Sequence, residues 1–536
     1  MDAFDYIIIG AGSAGAVLAS KLTENSATRV LVIEAGGSPE TALMTMPKGF
    51  SKNLRKPDHM WHFQVKQPAG SDRPDEVWVR GRTLGGSSSV NGMVYTRCQP
   101  EDYNEWNDRA GPGWGWSDMK RAFMAIEDHE LGATSSRGAG GPLHVAPTKF
   151  RYPLTERLLD AGVQMGVPRK DDINGEDQEG VGYYNYKIRN GRRVSAYTAF
   201  LKPAMSRPNL TVSTQTYVDR IIFEGARAVG VAARRNGEAV TFRSKGEIIL
   251  AAGAIMSPKI LQLSGIGPGE HLRKFGIEVR VDSPDVGGRM REHLGFTIPY
   301  RLKNDPGINN QLYGIGLVKS VLRYYLNRSG VLATGPYEVG GFVRTLPEST
   351  RPDAQIYLGG FATPRNEKGL PSGNSVEHLP GVSISGHLLQ NTSEGTVMIA
   401  SADPQVAPVI TPNWLDTERD QRAAVVLVRY LRKWMTMPAL APYIDHEISP
   451  GMKVQSDEDI LATFKRLSYC GLHATSSCRM GNDNRAVLDN QLRVRGVEGL
   501  RVVDCSAMPN LVTGNTSAPA MAMGWLAAEV IRNQAG

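Results

Sequence analysis

Apolar positions recur along this chain in different rhythms, and each rhythm predicts a different element. Residues 5 to 34 open with the run "DYIIIG", continue through "AGSAGAVLASKLTEN" and close on "RVLVIEAG", which reads as strand, turn, helix and strand. Residues 209 to 255 read as further strands, "LTVSTQTYVDRIIFEG" and "AVGVAAR", followed by the apolar run "EIILAAG". From about Thr297 to Pro450 the texture changes. "DAQIYLGGF" and "PGVSISGHLL" alternate as strands do, and "RDQRAAVVLVRYLRKWM" has helical spacing. Near the C-terminus the apolar strand "GLRVVD" ends at Asp504. A helix beginning near Thr516 then carries Met523, Leu526, Ala527, Val530 and Ile531 on one face, which predicts a core-facing side. Between Pro47 and Gly81 neither rhythm holds, and the stretch reads as a long loop covering a ligand.

The alternation of strand and helix predicts an α/β fold. A length of 536 residues predicts at least two domains assembled from separated segments. Composition is that of a globular enzyme, 41% hydrophobic and 21% charged, but glycine is high at 58 residues. The glycines gather near Gly10 to Gly15, Gly85 to Gly92 and Gly253 to Gly267, where backbone is expected to approach a large ligand closely. The net charge of +7 is spread without any block of like charges, which argues against a nucleic-acid partner. No apolar run reaches the ~18 residues of a membrane span, which leaves peripheral membrane contact open. "MDAFDYIIIG" lacks the basic start and cleavage site of a secretory signal, so a cytoplasmic location is expected. The four cysteines, Cys98, Cys470, Cys478 and Cys505, form no close pair. Cys470, His473 and Cys478 match no usual zinc spacing, and no metal is expected.

Gly10, Gly12 and Gly15 form a GxGxxG at the junction of strand and helix, and Glu34 closes the second strand. Glycines there let backbone touch a pyrophosphate at the positive end of the helix, while the acid accepts hydrogen bonds from an adenosine ribose and disfavours a 2′-phosphate. "GRTLGGSSSVNGMVY", Gly81 to Tyr95, is a second glycine-rich loop, and "GAIMSPKILQLSGIG", Gly253 to Gly267, a third.

Both of these loops match signature patterns of the glucose-methanol-choline (GMC) family of FAD-dependent alcohol oxidoreductases, which the chain resembles over nearly its whole length. The likeness is nearest to choline dehydrogenase-like bacterial members. It implies a Rossmann-like FAD-binding domain from residues 1–155, 209–297 and 461–536, with an inserted mixed-sheet substrate domain from 156–208 and 298–460. It also implies cofactor contacts from Gly10, Gly12, Ser13, Ala14, Gly15, Glu34, Ala35, Trp61, Arg82, Gly86, Asn91, Gly92, Val94, Val218, Ala252, Asp504 and Thr516. Family members whose flavin is attached through histidine carry that histidine where this chain has Val90, so the FAD is expected to be non-covalent.

The family's H-x-x-G-T-x-R-M-G pattern is similar to "HATSSCRMG" here, with Ser476 and Ser477 replacing Gly and Thr. The resemblance makes His473 the general base and Asn515, in "GNTSAP", its partner at the active site. A neutral imidazole takes the hydroxyl proton of an alcohol, with a pKa expected within a unit or so of ~6.5, and the amide orients the developing alkoxide. Hydride transfer to flavin N5 then leaves an aldehyde or ketone. The reoxidant stays open between oxygen, a quinone and another carrier; the small Gly471 is expected to leave room for oxygen beside the flavin. Trp61, Phe63, Met93 and Tyr95 point to an apolar or aromatic-tolerant pocket for the alcohol. The alternatives are a redox-silent lyase on the same fold, resembling hydroxynitrile lyases, and an NAD-dependent dehydrogenase. The second leaves the Gly81 to Tyr95 loop and the C-terminal motif without a role. A hydrolase would need a G-x-S-x-G nucleophile elbow, which the chain lacks.

Overall fold

The computed structural model describes residues 4–54, 57–371 and 376–534. In chain order its strands include β1 (Phe4–Ile9), β2 (Val30–Ile33), β3 (Met60–Val65), β4 (Glu76–Gly81), β5 (Gly180–Tyr183), β6 (Leu210–Ser213), β7 (Thr216–Glu224), β8 (Arg227–Arg235), β9 (Glu238–Leu250), β10 (Leu294–Leu302), β11 (Val339–Val343), β12 (Ala354–Gly359), β13 (Gly381–Leu388), β14 (Ile444–Glu447), β15 (Tyr469–Cys470) and β16 (Leu500–Val502). The helices that matter for the site are α1 (Ser13–Leu22), α2 (Trp116–Ile126), α3 (Gly253–Leu263), α4 (Gly314–Asn327), α5 (Glu418–Met435) and α6 (Ser517–Gln534).

A first sheet has the order β6-β2-β1-β9-β8-β7, with β16 also paired to β9. Its middle is parallel, with Ile7 opposite both Leu31 and Ile248, and these strands are apolar throughout because they are buried in one core between α1 and residues of the antiparallel strands β7 and β8, such as Ile221 and Val231. The long strand β9 pairs parallel with β1 through its C-terminal half and antiparallel with β8 through its N-terminal half. Helix α6 packs against α1 and α2, and the fit is tight enough that a Cβ on Gly524 would come within 2.9 Å of the Ala14 carbonyl. The expected one-sided burial of α6 is therefore too narrow: Ala518, Ala520, Met521, Ala522 and Ala528 are buried as well as Met523, Leu526, Ala527 and Ile531. A helix enclosed by neighbours needs apolar residues around most of its circumference.

The second sheet is antiparallel, with the order β14-β10-β13-β12-β11-β5 and β15 joined to β10. Here the two-residue period of strands decides which side chains reach the site. Leu294, Phe296 and Ile298 of β10, Ile356 and Leu358 of β12, and Val382 and Ile384 of β13 point into a core closed by Leu427, Leu431 and Trp434 of α5. Helix α5 presents these at helical spacing and is capped by Thr417, whose side chain accepts the Asp420 N–H, a contact of about 1 kcal/mol. The alternate residues share the opposite face: Gln355, His387, Gly295 and Tyr469 form one cross-strand row, and Tyr357, Ser385 and Thr297 the next. β10 starts at Leu294, ahead of the expected segment boundary at 297, and lies wholly in this sheet, as does β15.

The stretch from Pro47 to Gly81 is not a plain loop. It holds a β3–β4 hairpin in which Trp61 pairs with Arg80 and Phe63 with Trp78, after two short helical turns at Pro47–Gly49 and Phe50–Asn53. Polar residues between its strands hid the hairpin's alternation.

Candidate active site

One cavity of about 510 Å³ runs between the two sheets, from the glycine loop after β1 to the loop after β15. At its first end Gly10 has φ +102°, a conformation that favours glycine, and a Cβ there would lie 2.4 Å from the Ala251 carbonyl oxygen. A Cβ on Gly15 would lie 2.0 Å from the Gly10 oxygen, so α1 can sit this close to the strand only with glycine. Gly12 caps α1 without a side-chain acceptor, which leaves the first-turn N–H groups to a ligand. Glu34 is buried; its Oε2 accepts the Ala11 N–H at 3.0 Å and its Oε1 the Gly36 N–H at 2.9 Å. Burial pushes its pKa up to about 7.

The second glycine loop meets the first directly: a Cβ on Gly86 would stand 2.8 Å from the Gly12 Cα. The third loop is tied in by Asp504, whose Oδ2 accepts the Gly253 N–H at 2.8 Å and the Ser257 hydroxyl at 2.6 Å, while Oδ1 accepts the Ser506 N–H at 2.8 Å. Backbone bare of side chains, a helix start and a buried acid are what the ADP half of a dinucleotide requires, so the residues fit FAD.

Of the residues expected at the cofactor, Gly10, Gly12, Ser13, Ala14, Glu34, Ala35, Trp61, Gly86, Asn91, Gly92, Val94, Val218, Ala252, Asp504 and Thr516 line this cavity, and so does Val90. Two do not. Gly15 stands behind the loop, where its work is steric, and Arg82 lies over the Trp61 ring at 4.7 Å, in an adjoining cleft. Trp61, Phe63 and Met93 line the cavity, but Tyr95 is buried outside it with its hydroxyl donating to Glu127.

At the far end Asn515 Nδ2 and His473 Nε2 are 3.0 Å apart. Which atom donates follows from the surroundings. Asn515 Oδ1 accepts from Gln355 Nε2 at 3.2 Å and from the Tyr357 hydroxyl at 3.4 Å, so the amide N–H faces the imidazole. His473 Nε2 is then the unprotonated nitrogen. Its Nδ1 carries the proton and donates to His293 Nδ1 at 3.0 Å. A third imidazole, His387, has its ring 5.8 Å from that of His473 and meets the Tyr469 hydroxyl at 3.1 Å.

Glu292 fixes the backbone beneath this cluster. Its Oε1 accepts the N–H of His293 at 2.8 Å and of His473 at 2.6 Å, and its Oε2 takes the Cys470 thiol at 3.3 Å and faces Arg80 at 3.5 Å. Burial raises the Glu292 pKa to about 7, against the pull of Arg80.

Burial, followed by His293, His387 and Arg80, lowers the His473 pKa well below its ordinary 6.5; burial takes His293 and His387 down to about 3. The expectation of a near-normal imidazole is thus corrected, because His473 sits at the cavity wall against two buried imidazoles and Arg80, where a second positive charge is disfavoured.

Gly471 lines the cavity, and a Cβ there would lie 3.0 Å from His293 Cβ and 3.1 Å from His473 Nδ1, so the glycine gives the histidine pair room to approach. Ser476, where the family pattern has glycine, has φ +68°, the left-handed conformation glycine prefers. Ser477, where the pattern has threonine, keeps a hydroxyl that donates to the Ala254 carbonyl at 2.6 Å.

A cavity of this construction belongs to a dinucleotide-dependent oxidoreductase. Sequence profiles described as GMC oxidoreductase match residues 4–295 and 391–524, and the chain belongs to that family. It is an FAD-dependent oxidoreductase acting on alcohols. It is 38% identical to mitochondrial choline dehydrogenase of Homo sapiens over 99% of this chain and 90% of the relative. It is 35% identical to alcohol dehydrogenase [acceptor] of Pseudomonas putida over 98% and 95%. Among solved structures, pyridoxine 4-oxidase from Mesorbium loti superposes with a TM-score of 0.89 at 30% identity, covering 99% of each chain. Nothing in these likenesses supports the lyase alternative.

Among the described residues no helix is long and apolar enough to cross a membrane.

Proposed function

We propose that this chain oxidises a neutral alcohol, with His473 as the proton acceptor and Asn515 as the group that holds the reacting oxygen. The observation that carries this reading is the 3.0 Å pairing of His473 Nε2 with Asn515 Nδ2 at the cavity wall. An alcohol oxygen that displaces this contact accepts the amide N–H in place of the imidazole and gives its proton to Nε2, the nitrogen the tautomer leaves unprotonated. FAD held in the cavity would supply the acceptor for the hydride that leaves the carbinol carbon. Gly10, Gly12, Ser13, Glu34 and Gly86 would hold its ADP half, and Val90, Ala252 and Thr516 would lie along the rest. Valine at position 90 supports a non-covalent attachment. The four cysteines are free thiols, which suits a reducing compartment, and we place the reaction in the cytoplasm.

The neutral character of the alcohol follows from charge. Glu34 and Asp504 are the acidic side chains lining the cavity among the described residues, and both are engaged by backbone N–H groups at loops of the first sheet. The acids behind the second sheet's wall are already matched, Glu292 by Arg80 and Glu338 by Lys48 at 3.6 Å. The ring of Tyr357 at the wall is already engaged by other rings. Tyr357 stacks on Tyr184 at 5.4 Å and is met by Tyr337 at 5.0 Å and His387 at 4.9 Å. A quaternary ammonium would enter unpaired, although several relatives are named choline dehydrogenases.

The test is anaerobic flavin reduction by choline and by 3,3-dimethylbutan-1-ol, its uncharged isostere, beside benzyl alcohol. The neutral alcohols should exceed choline in kcat/KM by on the order of 10² or more. Preference for choline overturns the neutral pocket, and failure of every alcohol to bleach the flavin overturns alcohol oxidation itself.

A further inference from the structure

Helix α4 is apolar on two opposite faces. Leu317, Val321 and Tyr324 face the core of the second sheet, as expected of a surface helix. The other side carries Ile315 (77% exposed), Val318 (59%), Leu322 (56%), Tyr325 (51%) and Leu326 (78%). At 3.6 residues per turn these five fall within an arc of about 100°, so they form one stripe and not a scatter. The stripe is extended at its N-terminal end, where Tyr313 stacks on His378 at 4.3 Å next to Leu379, itself 57% exposed. A stripe of this kind on a folded chain marks a surface that something covers.

Charge says what covers it. The sequence from Pro306 to Tyr337 contains no acidic residue but holds Lys319, Arg323 and Arg328. Lys319 and Arg323 flank the stripe on one side, and Arg328 lies over the Tyr325 ring at 5.3 Å. Among the described residues none of the three is ion-paired with a carboxylate. A second copy of the chain docked through this face by two-fold symmetry would bring the same cations together, in a protein already at +7. An apolar stripe edged by cations suits a bilayer surface with anionic headgroups, in which the side chains enter the acyl boundary and the cations stay at the phosphates.

We propose that α4 is a membrane-surface anchor, laid flat on an anionic bilayer without crossing it. The placement has a chemical consequence. After α4 the chain makes a turn at Val331–Ala333, packed on the Pro47–Gly49 turn, and then supplies Pro336 and Tyr337 to the cavity wall. Lys48 pins that connection by donating to the Gly335 carbonyl at 2.7 Å and the Pro336 carbonyl at 3.1 Å. Phe50, just after the turn at 47–49, also lines the cavity. The anchor and the substrate wall are thus one continuous segment, which sets the cavity beside the phase where apolar alcohols concentrate.

The experiment is flotation of the FAD-loaded full chain with vesicles of phosphatidylcholine alone and with phosphatidylglycerol added. The protein should float with the anionic vesicles and be released by high salt. Leu322→Glu with Leu326→Glu should weaken partitioning by about tenfold or more. Lys319→Ala and Arg323→Ala should each weaken it by roughly fivefold on anionic vesicles alone. Dye-linked turnover in solution should be unchanged in all four, since none touches the cavity. Wild-type protein that stays below the vesicles at every composition overturns the proposal, as does unaltered flotation of the glutamate variants. So does a wild-type dimer in light scattering that Leu322→Glu dissociates while no form of the protein floats, which would assign the stripe to a second copy.

Discussion

The Nδ1 atoms of His293 and His473 stand 3.0 Å apart with their rings nearly perpendicular, at 81°. Two imidazole nitrogens at that distance share a single proton, and the amide of Asn515 decides which ring owns it. Because Asn515 donates to Nε2, His473 keeps its proton on Nδ1 and His293 serves as acceptor. A second proton on His473 would set an N–H against the Asn515 N–H, which adds to burial in opposing the charged form.

Flavin reduction should therefore be nearly independent of pH where a free histidine would titrate. A base acts when neutral, so its activity is present above its pKa and lost below it; lowering that pKa moves the loss to more acid pH. Between about pH 6 and pH 8 the anaerobic reduction rate should change by less than roughly twofold. A sigmoidal rise centred near the ordinary imidazole value contradicts the burial argument.

His473→Ala should slow flavin reduction by about 10² to 10⁴ with FAD and fold retained. Asn515→Ala should slow the same step while leaving the pH profile flat, since an amide does not titrate. Stopped-flow absorbance, with melting curves as controls, checks both. Early melting or loss of FAD in His473→Ala would make the histidine structural.

His293→Leu removes the acceptor that holds the tautomer and should reduce the limiting rate by roughly 10 to 10², with little change in KM. His293→Gln offers a carbonyl to the same N–H and should recover part of that loss. Equal rates in the two variants would mean that His293 only fills space.

Ser476→Gly should stabilise the protein by about 1 kcal/mol, because it relieves a left-handed φ at a non-glycine residue. Thermal melting of the FAD-loaded protein is the measure. A lowered melting temperature would show that the serine's 3.1 Å hydrogen bond to Thr475 outweighs the strain.

Acid precipitation should release the yellow cofactor into the supernatant, because Val90 lines the cavity and cannot bond to the flavin. A washed pellet that stays yellow refutes this.

Much of the first sheet was legible because its signals are local. The GxGxxG, the apolar strands and Glu34 lie within one stretch of sequence, and each element's rhythm states its own environment. The catalytic cluster was legible only at His473 and Asn515, through a motif. Glu292, His293 and Tyr357 come from strands or strand ends far away in sequence, and "REHLGF" carries no spacing that predicts chemistry. What places them is register: Gly295 opposite His387 and Tyr469, with His293 two residues earlier. Register between distant strands is a property of the assembled sheet. The outer stripe of α4 escaped for another reason, since periodicity marks an apolar face without saying whether protein covers it.

The two members of the reactive pair are mounted on different halves of the molecule. His473 follows β15, which is fastened to β10 of the second sheet, while Asn515 stands just ahead of α6, seated on α1 against the first. Their 3.0 Å contact is therefore a gap with a machining tolerance, set by how two separately built parts seat against each other. A slip of an ångström at the seam would open it without disturbing either core. Substitutions buried along that seam, remote from any reacting atom, should then misalign the chemistry before they loosen the fold.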